Sequence, residues 1–252
     1  MVKTPGKIYV GVGGWVFEPW RVSFYEEGLP QKRELEFASQ RLTSIEINGT
    51  YYGSQKRGSF ERWYQETPAG FVFSLKAPRF ATNRRQLAEA GASIEKFFAS
   101  GVTALGEKLG AINWQFQATK SFDPEDFAAF LDLFPKEVDG LKIRHALEVR
   151  HESFSQPDFI ALAGKHKVAV IRAVDSRYVE IETPTAPFRY LRIMGSQEDE
   201  AAGYSPQKLD DWAKQARNLA KDGTDVFLYF ISGAKVRNPH AAMGLIERLH
   251  KD

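Results

Sequence analysis

The 252-residue sequence contains no cysteine. That excludes disulfide staples, thiolate nucleophiles and cysteine-ligated metals, and it fits a reducing compartment. Long apolar runs are missing too: nothing approaches the roughly 20 residues that a membrane-crossing helix needs. The opening stretch from Met1 to Gly6 is polar, with no apolar block behind it, so no secretion signal is expected and the cytoplasm is the expected location. Neither sign of charge dominates. Thirty-four Lys and Arg stand against 32 Asp and Glu, a net +2, so net charge indicates neither a nucleic-acid nor a membrane partner. No linker or low-complexity segment divides the chain. What is present is an ordinary globular balance, 43% hydrophobic and 26% charged. A chain of this length can bury a sizeable core without help from metal or disulfides.

Read in order, the pattern alternates between short apolar strands and amphipathic helices. Strands are expected at Ile8–Val12, Ser44–Asn48, Phe71–Ala77, Gly110–Phe116, Ala146–Arg150, Val168–Asp175, Phe188–Met194 and Asp225–Ile231. Helices are expected near 30–41, 59–66, 93–105, 124–133, 157–166, 205–222 and 239–249. Asp123 is placed to cap the fourth of these, and Ser205-Pro206 to start the sixth. Eight strands about thirty residues apart, nearly all followed by a helix, imply parallel strands in right-handed units. One (β/α)8 barrel spanning residues 1–252 is the economical fold; a doubly wound open sheet is the alternative.

In such a barrel one face of each strand meets the helices and the other fills the lumen. Aliphatic parity therefore sorts the side chains. Leu147 and Val149 face outward, which turns Glu148 and Arg150 inward. The same reading turns Ser44, Glu46 and Asn48 inward on the second strand, Ser74 and Lys76 on the third, and Asn113 and Gln115 on the fourth. It adds Tyr190, Arg192 and Met194 on the seventh strand and Phe227 and Tyr229 on the eighth. On the sixth strand it turns Asp175 inward, at the expense of placing Arg172 under the helices. Glu46, Asn48, Lys76, Gln115, Glu148, Arg150 and Arg192 thus converge near the carboxyl ends of their strands, where barrel enzymes carry their sites. The bland alternative is a buried ion network that only holds the barrel together. Such networks are weak stabilisers, which makes seven polar groups on five strands a costly way to gain stability.

Several chemistries fit that set. Glu46 and Glu148 form a candidate carboxylate pair for acid–base work. Lys76, Arg79, Arg150 and Arg192 suit a carboxylate or phosphate ligand. His151 is the one histidine at the carboxyl end of an expected strand and could move a proton or merely bond its turn; His145 begins its strand at the opposite end. A metal would want carboxylates and histidines without interposed cations, so none is assigned. Trp15, Trp20, Tyr51 and Tyr52 at loop tips could stack on a sugar or base or pack the rim.

With these residues in hand, the chain resembles the YecE-like family of barrel proteins, a domain of unknown function. The likeness runs almost end to end. It rests on Gly13-Gly14-Trp15, Phe24-Tyr25 with Gly28-Leu29-Pro30, Glu46-Ile47-Asn48 with Thr50-Tyr51-Tyr52, Trp63, Lys76 with Arg79, Leu109-Gly110 and Gln115. Glu148-Val149-Arg150-His151 with Ser153, Asp175, Arg192 with Gly195, Trp212-Ala213 and Asn238 complete it. The resemblance implies a TIM-type barrel and brings no reaction with it. Met194 replaces a family histidine, and Gln117-Ala118, Asn83 and Ile231-Ser232-Gly233 also depart from the family pattern, which marks a divergent member.

The resulting expectation is a hydrolase or lyase acting on a small anionic or sugar-like substrate without a cofactor. Glu46, Glu148, Lys76 and His151 would be catalytic, and Trp15, Asn48, Tyr51, Arg79, Gln115, Arg150, Asp175 and Arg192 would bind substrate. The alternative is a non-catalytic module for an anionic metabolite or a nucleic-acid end. Three cations against two acids leave an excess positive charge, so the site is expected to recruit an anion near Arg150 or Arg192.

Overall fold

The computed structural model describes residues 3–251. Eight parallel strands form a central barrel, with a helix in every connection except that between the sixth and the seventh. They are β1 (Ile8–Gly13), β2 (Ser44–Ile47), β3 (Val72–Lys76), β4 (Leu109–Gln115) and β5 (Arg144–Glu148). The sixth, β6, runs as two pieces, Ala169–Val170 and Arg172–Val174, and is followed by β7 (Phe188–Ile193) and β8 (Asp225–Phe230). Each of β1 to β5 pairs in parallel with the next, and β8 pairs with both β1 and β7.

The ring closes through the broken β6. Its first piece pairs with β5, at Ala146 with Ala169 and Leu147 with Val170. Its second piece pairs with β7, at Leu191 with Arg172 and Ile193 with Val174. Between them, the Ile171 N–H donates to the Leu147 carbonyl at 2.9 Å. One short strand thus divides its hydrogen bonds between two neighbours, which a continuous expected strand from 168 to 175 does not convey. Among the described residues, closure leaves no edge of the barrel sheet unpaired, and a separate two-stranded antiparallel ribbon pairs Glu137–Val138 with Leu141–Lys142.

The helices form where apolar spacing and capping agree. The Asp123 carboxylate accepts from the N–H groups of Glu125 and Asp126 at the start of α7 (Pro124–Asp132). Ser205 caps α9 (Pro206–Ala220), which buries Leu209, Trp212, Ala213, Ala216 and Ala220 on one stripe. The expected helix over 93–105 is instead α6 (Gly91–Ala99) followed by 3-10 turns over Val102–Lys108. Gly101 at φ 96° and Gly106 at φ 51° interrupt it with a left-handed conformation that glycine adopts without strain. Short helices that periodicity does not reveal cap two barrel strands, α3 (Gly49–Tyr52) after β2 and α5 (Arg79–Thr82) after β3. Because α1 (Trp20–Ser23), α2 (Glu34–Ser39), α4 (Arg57–Gln65), α8 (Pro157–Lys165) and α10 (Asn238–His250) complete the set, the helical layer surrounds the sheet.

Two apolar clusters result. The larger one joins the outward strand faces to the helices. The smaller one fills the lumen with Tyr9, Val72, Ala111, Ala146, Ala169, Ile171, Phe188, Tyr190, Phe227, Tyr229 and Ile231. The lumen is therefore not polar along its length, as parity on β2, β3 and β4 alone suggests. It is plugged by aromatic and small side chains and becomes charged only toward the carboxyl ends of the strands.

Candidate functional site

The first polar layer above the plug is made of hydroxyls. Ser44 and Tyr229 lie 2.6 Å apart oxygen to oxygen, and the Tyr229 hydroxyl donates to Ser74 at 2.8 Å. Above it stand the charges. Arg192 (β7), only 3% exposed, reaches across the barrel between two fully buried acids. Its guanidinium donates to Glu46 Oε1 (β2) at 3.0 Å and makes a short contact to Glu148 Oε2 (β5). Asn113 on β4 donates its amide to Glu46 at 3.0 Å and to Glu148 at 3.4 Å, and the Tyr190 hydroxyl donates to Glu46 at 2.5 Å. Arg150 lies just past the end of β5 and donates through Nε and Nη2 to Glu148 Oε1 at 2.9 and 2.6 Å. Its guanidinium carbon sits 4.4 Å from the centre of the Tyr178 ring, a cation–π contact.

Lys76, at the end of β3, differs from the arginines. Its ammonium donates to the Gln115 side-chain oxygen at 2.6 Å and lies 4.2 Å from the centre of the Tyr51 ring. Among the described residues no carboxylate approaches it within salt-bridge distance. Thr50, in α3, donates to the Lys76 carbonyl at 2.7 Å and fixes the strand end.

The electrostatics follow from these contacts. Burial is the largest influence on Lys76 and the Arg192 charge the next. Together they outweigh the attraction of Glu46 and Glu148, so the amine is pushed down to about 8. For Glu148, burial alone would raise the pKa, but the charges of Arg192, Arg150 and Lys76 overcome it and hold the carboxyl below its ordinary value. Burial opposes the Arg192 charge, and the two glutamates more than offset it, so the guanidinium holds its proton beyond the usual range. Burial, and then the Glu46 charge, push the Tyr190 hydroxyl well above its ordinary pKa and keep it a donor.

The structure therefore brings Glu46, Glu148, Arg192, Arg150, Lys76, Gln115 and Tyr51 together, and it adds Asn113, Tyr190 and Tyr178. Glu46 and Glu148 share one guanidinium, and Glu148 is held ionised, so it has no proton to give near neutrality. Arg192 is enclosed by both acids and is less exposed than Lys76 or Arg150.

The remaining candidates lie elsewhere or do other work. His151 Nδ1 accepts from the Ser153 N–H at 3.2 Å and meets the Ser153 hydroxyl at 2.9 Å, and that hydroxyl in turn accepts from the Phe122 N–H at 2.8 Å. These contacts belong to a turn. Trp15 packs edge-on against Trp63 at 5.3 Å between ring centres, and Trp20 is buried with its indole N–H on the Lys235 carbonyl at 2.9 Å. Arg79 is exposed beside Phe80, 5.4 Å from its ring centre. Asn48 packs its amide against β1, where a Cβ on Gly13 would come within 2.7 Å of it.

Asp175 leaves the sixth strand with φ 53° and stands 3.8 Å from Lys208, beside Gly195. Parity fails there because the left-handed residue redirects the chain. Arg172 does face outward, where its guanidinium pairs with Glu180 and Glu182. Asn113 and Tyr190 were legible as inward-facing. Tyr178 was not, because it lies in the irregular stretch after β6 and follows no period. Among the described residues, no three His, Asp or Glu side chains group as metal ligands would, and no helix is long and apolar enough to cross a membrane.

Eight parallel strands closed around an aromatic plug, with a cation-rich charged layer at their carboxyl ends, define a TIM-type barrel protein. The chain belongs to the DUF72 family, described as proteins of unknown function, whose pattern matches residues 9–252. It is 23% identical over 258 residues to the UPF0759 protein YunF of Bacillus subtilis (strain 168), covering 88% of each chain. Its fold is similar to that of a DUF72 family protein from Thermotoga maritima MSB8, with a TM-score of 0.78 at 20% identity, covering 97% of this chain and 100% of that one. A DUF72 family protein from Enterococcus faecalis V583 is also similar, with a TM-score of 0.74 at 16% identity, covering 97% of this chain and 96% of that one.

Proposed function

We propose that the chain is an enzyme, of lyase or hydrolase type, that acts on a small anionic substrate at the carboxyl face of the barrel. One observation carries this reading: Lys76 is a buried amine, only 6% exposed, that meets an amide oxygen and an aromatic ring in place of a carboxylate. A lysine serving stability alone would be paired or would extend to water. Here it supplies a group that changes protonation near neutrality, as general acid–base chemistry requires. Arg150, with Nη1 outside its Glu148 contacts and a side chain 19% exposed, is the anchor for the substrate's anion. Glu46 and Glu148 position the two arginines, and Asn113 and Tyr190 position the glutamates.

The competing reading is a non-catalytic binding module, favoured by the engagement of both acids in ion pairs. A thermal-shift screen of phosphorylated sugars, nucleotides and oligosaccharides, with inorganic phosphate as the simple probe, separates the two. Anions should raise the melting temperature of the wild type and neutral sugars should not. R150M should keep the fold and lose the shift. Compounds that bind are then followed for conversion by NMR, and K76M should bind them while conversion stops. Binding without conversion in the wild type favours the module. An anion shift undiminished in R150M overturns the site.

A further inference from the structure

Among the described residues two lysines are buried, and their surroundings differ. Lys108, 4% exposed, caps the end of α4: its ammonium donates to the Tyr64 carbonyl at 2.6 Å, the Thr67 carbonyl at 2.6 Å and the Thr67 hydroxyl at 3.1 Å. Its three N–H bonds match three oxygens, which is how a buried ammonium is made stable. Both ammonium groups lie over a tyrosine ring, Lys76 4.2 Å from the centre of Tyr51 and Lys108 4.4 Å from that of Tyr64, but Lys76 has only one oxygen, from Gln115. Lys76 stands at the carboxyl end of its strand, where the lumen opens. The nearby charges of Arg192 and Arg150 disfavour a further positive charge on it. Burial lowers the pKa of both amines, but one oxygen in place of three and two neighbouring guanidinium charges make Lys76 the readier to lose its proton. A desolvated amine beside other cations is the arrangement that makes lysine a nucleophile toward carbonyl carbon.

We infer that Lys76 forms an imine with a carbonyl substrate that carries a carboxylate or phosphate, and that Arg150 receives the anionic group. The inference rests on the enzyme reading above and narrows it toward the lyase branch, because an imine activates the bonds next to the former carbonyl. The Lys76 lone pair forms the new C–N bond as the carbonyl C–O bond breaks. The oxygen departs as water with the two protons of the amine, and no oxidant, reductant or cofactor is consumed. A glycosidase-type use of the buried carboxylates is disfavoured by the same contacts, since Glu148 is held ionised and both acids are occupied by Arg192.

The test is reductive trapping. Full-length protein is incubated with pyruvate or glyoxylate and sodium cyanoborohydride, then digested and mapped by mass spectrometry. One reduced adduct should form, at Lys76, in excess over Lys108 and the surface lysines. Its yield should rise as pH passes through about 8, where the free amine becomes the main form. Acetaldehyde, a carbonyl without an anion, should label Lys76 several-fold less, and R150M should reduce the pyruvate adduct toward the acetaldehyde level. K76R should lose the adduct. The wild-type map decides the matter even if that variant fails to fold. Label spread over surface lysines with Lys76 unmodified overturns the imine. If anions still raise the melting temperature in that case, the anionic-substrate reading stands. If Lys76 is labelled equally by pyruvate and acetaldehyde in wild type and R150M, Arg150 is not the anchor and the proposal fails in that part.

Discussion

At the scale of single residues, the centre of the molecule is Arg192 held between Glu46 and Glu148. Each glutamate is 0% exposed, so neither charge has water to fall back on. A buried pair contributes little net stability over an apolar substitute, yet removing one side of it leaves an uncompensated charge. The double variant E46Q/E148Q should therefore lose about 3 kcal/mol or more. Adding R192M to it should restore part of that loss, because the stranded guanidinium goes with it. Urea unfolding of the three proteins checks this, and a double variant as stable as the wild type would show that the triad is not a unit. Alternation in Ser44–Ile47 and Ala146–Arg150 made Glu46, Glu148 and Arg150 legible as inward residues. Their roles were not legible, because parity states which way a side chain points and not which partner it finds. Two acids and three cations admit several pairings. The register that puts Gln115 beside Glu148 and Lys76 beside Asn113 selects the one that leaves Lys76 with an amide.

At the scale of elements, β1 shows how close approach dictates residue type. Gly11 pairs with Ser44 on one side and Tyr229 on the other. A Cβ at Gly11 would fall 1.8 Å from the Ser44 carbonyl oxygen, where no relaxation of a flexible side chain can relieve it. G11A should push β1 from β2 and cost upwards of about 2 kcal/mol, an overpacking penalty that thermal unfolding will read. Unchanged stability would mean that the strands separate freely at that point. Caps and strand order were well marked in the chain: Asp123 and Ser205 cap the helices expected of them. The division of β6 was hidden, because its residues Ala169, Val170, Ile171, Arg172, Ala173 and Val174 read as one strand. Only the two neighbours that compete for its hydrogen bonds divide it. The positive φ of Asp175 is likewise set by where the chain must go next, and it removes that carboxylate from the direction that parity assigns.

At the scale of the whole molecule, the barrel has two unlike ends. The carboxyl end holds the ionised layer. The opposite end packs His145 among Trp114, Phe134 and Phe98, with Nδ1 accepting from the Trp114 indole at 3.1 Å and Nε2 on the Pro135 carbonyl at 2.8 Å. Burial pushes this imidazole down to about 4, against 6.5 in an exposed histidine. The unfolded chain then binds a proton between those values that the folded chain does not, so stability falls as pH drops from about 6.5 to about 4. H145Q, which keeps an acceptor and a donor in place, should flatten that part of the stability curve. An acid profile identical to that of the wild type would show that His145 charges without cost.

The sequence by itself determined the parallel eight-strand barrel, since strand–helix alternation at a steady spacing admits few other ways to bury both faces of each strand. It also determined that acids and bases meet at the carboxyl end, because a period of two is a local property. Tertiary structure decided the rest: the aromatic plug, the split strand, and the pairing that binds Arg192 and Arg150 while leaving Lys76 with an amide and a ring. Those outcomes depend on shear and on distances between strands far apart in the chain, and no local pattern records them.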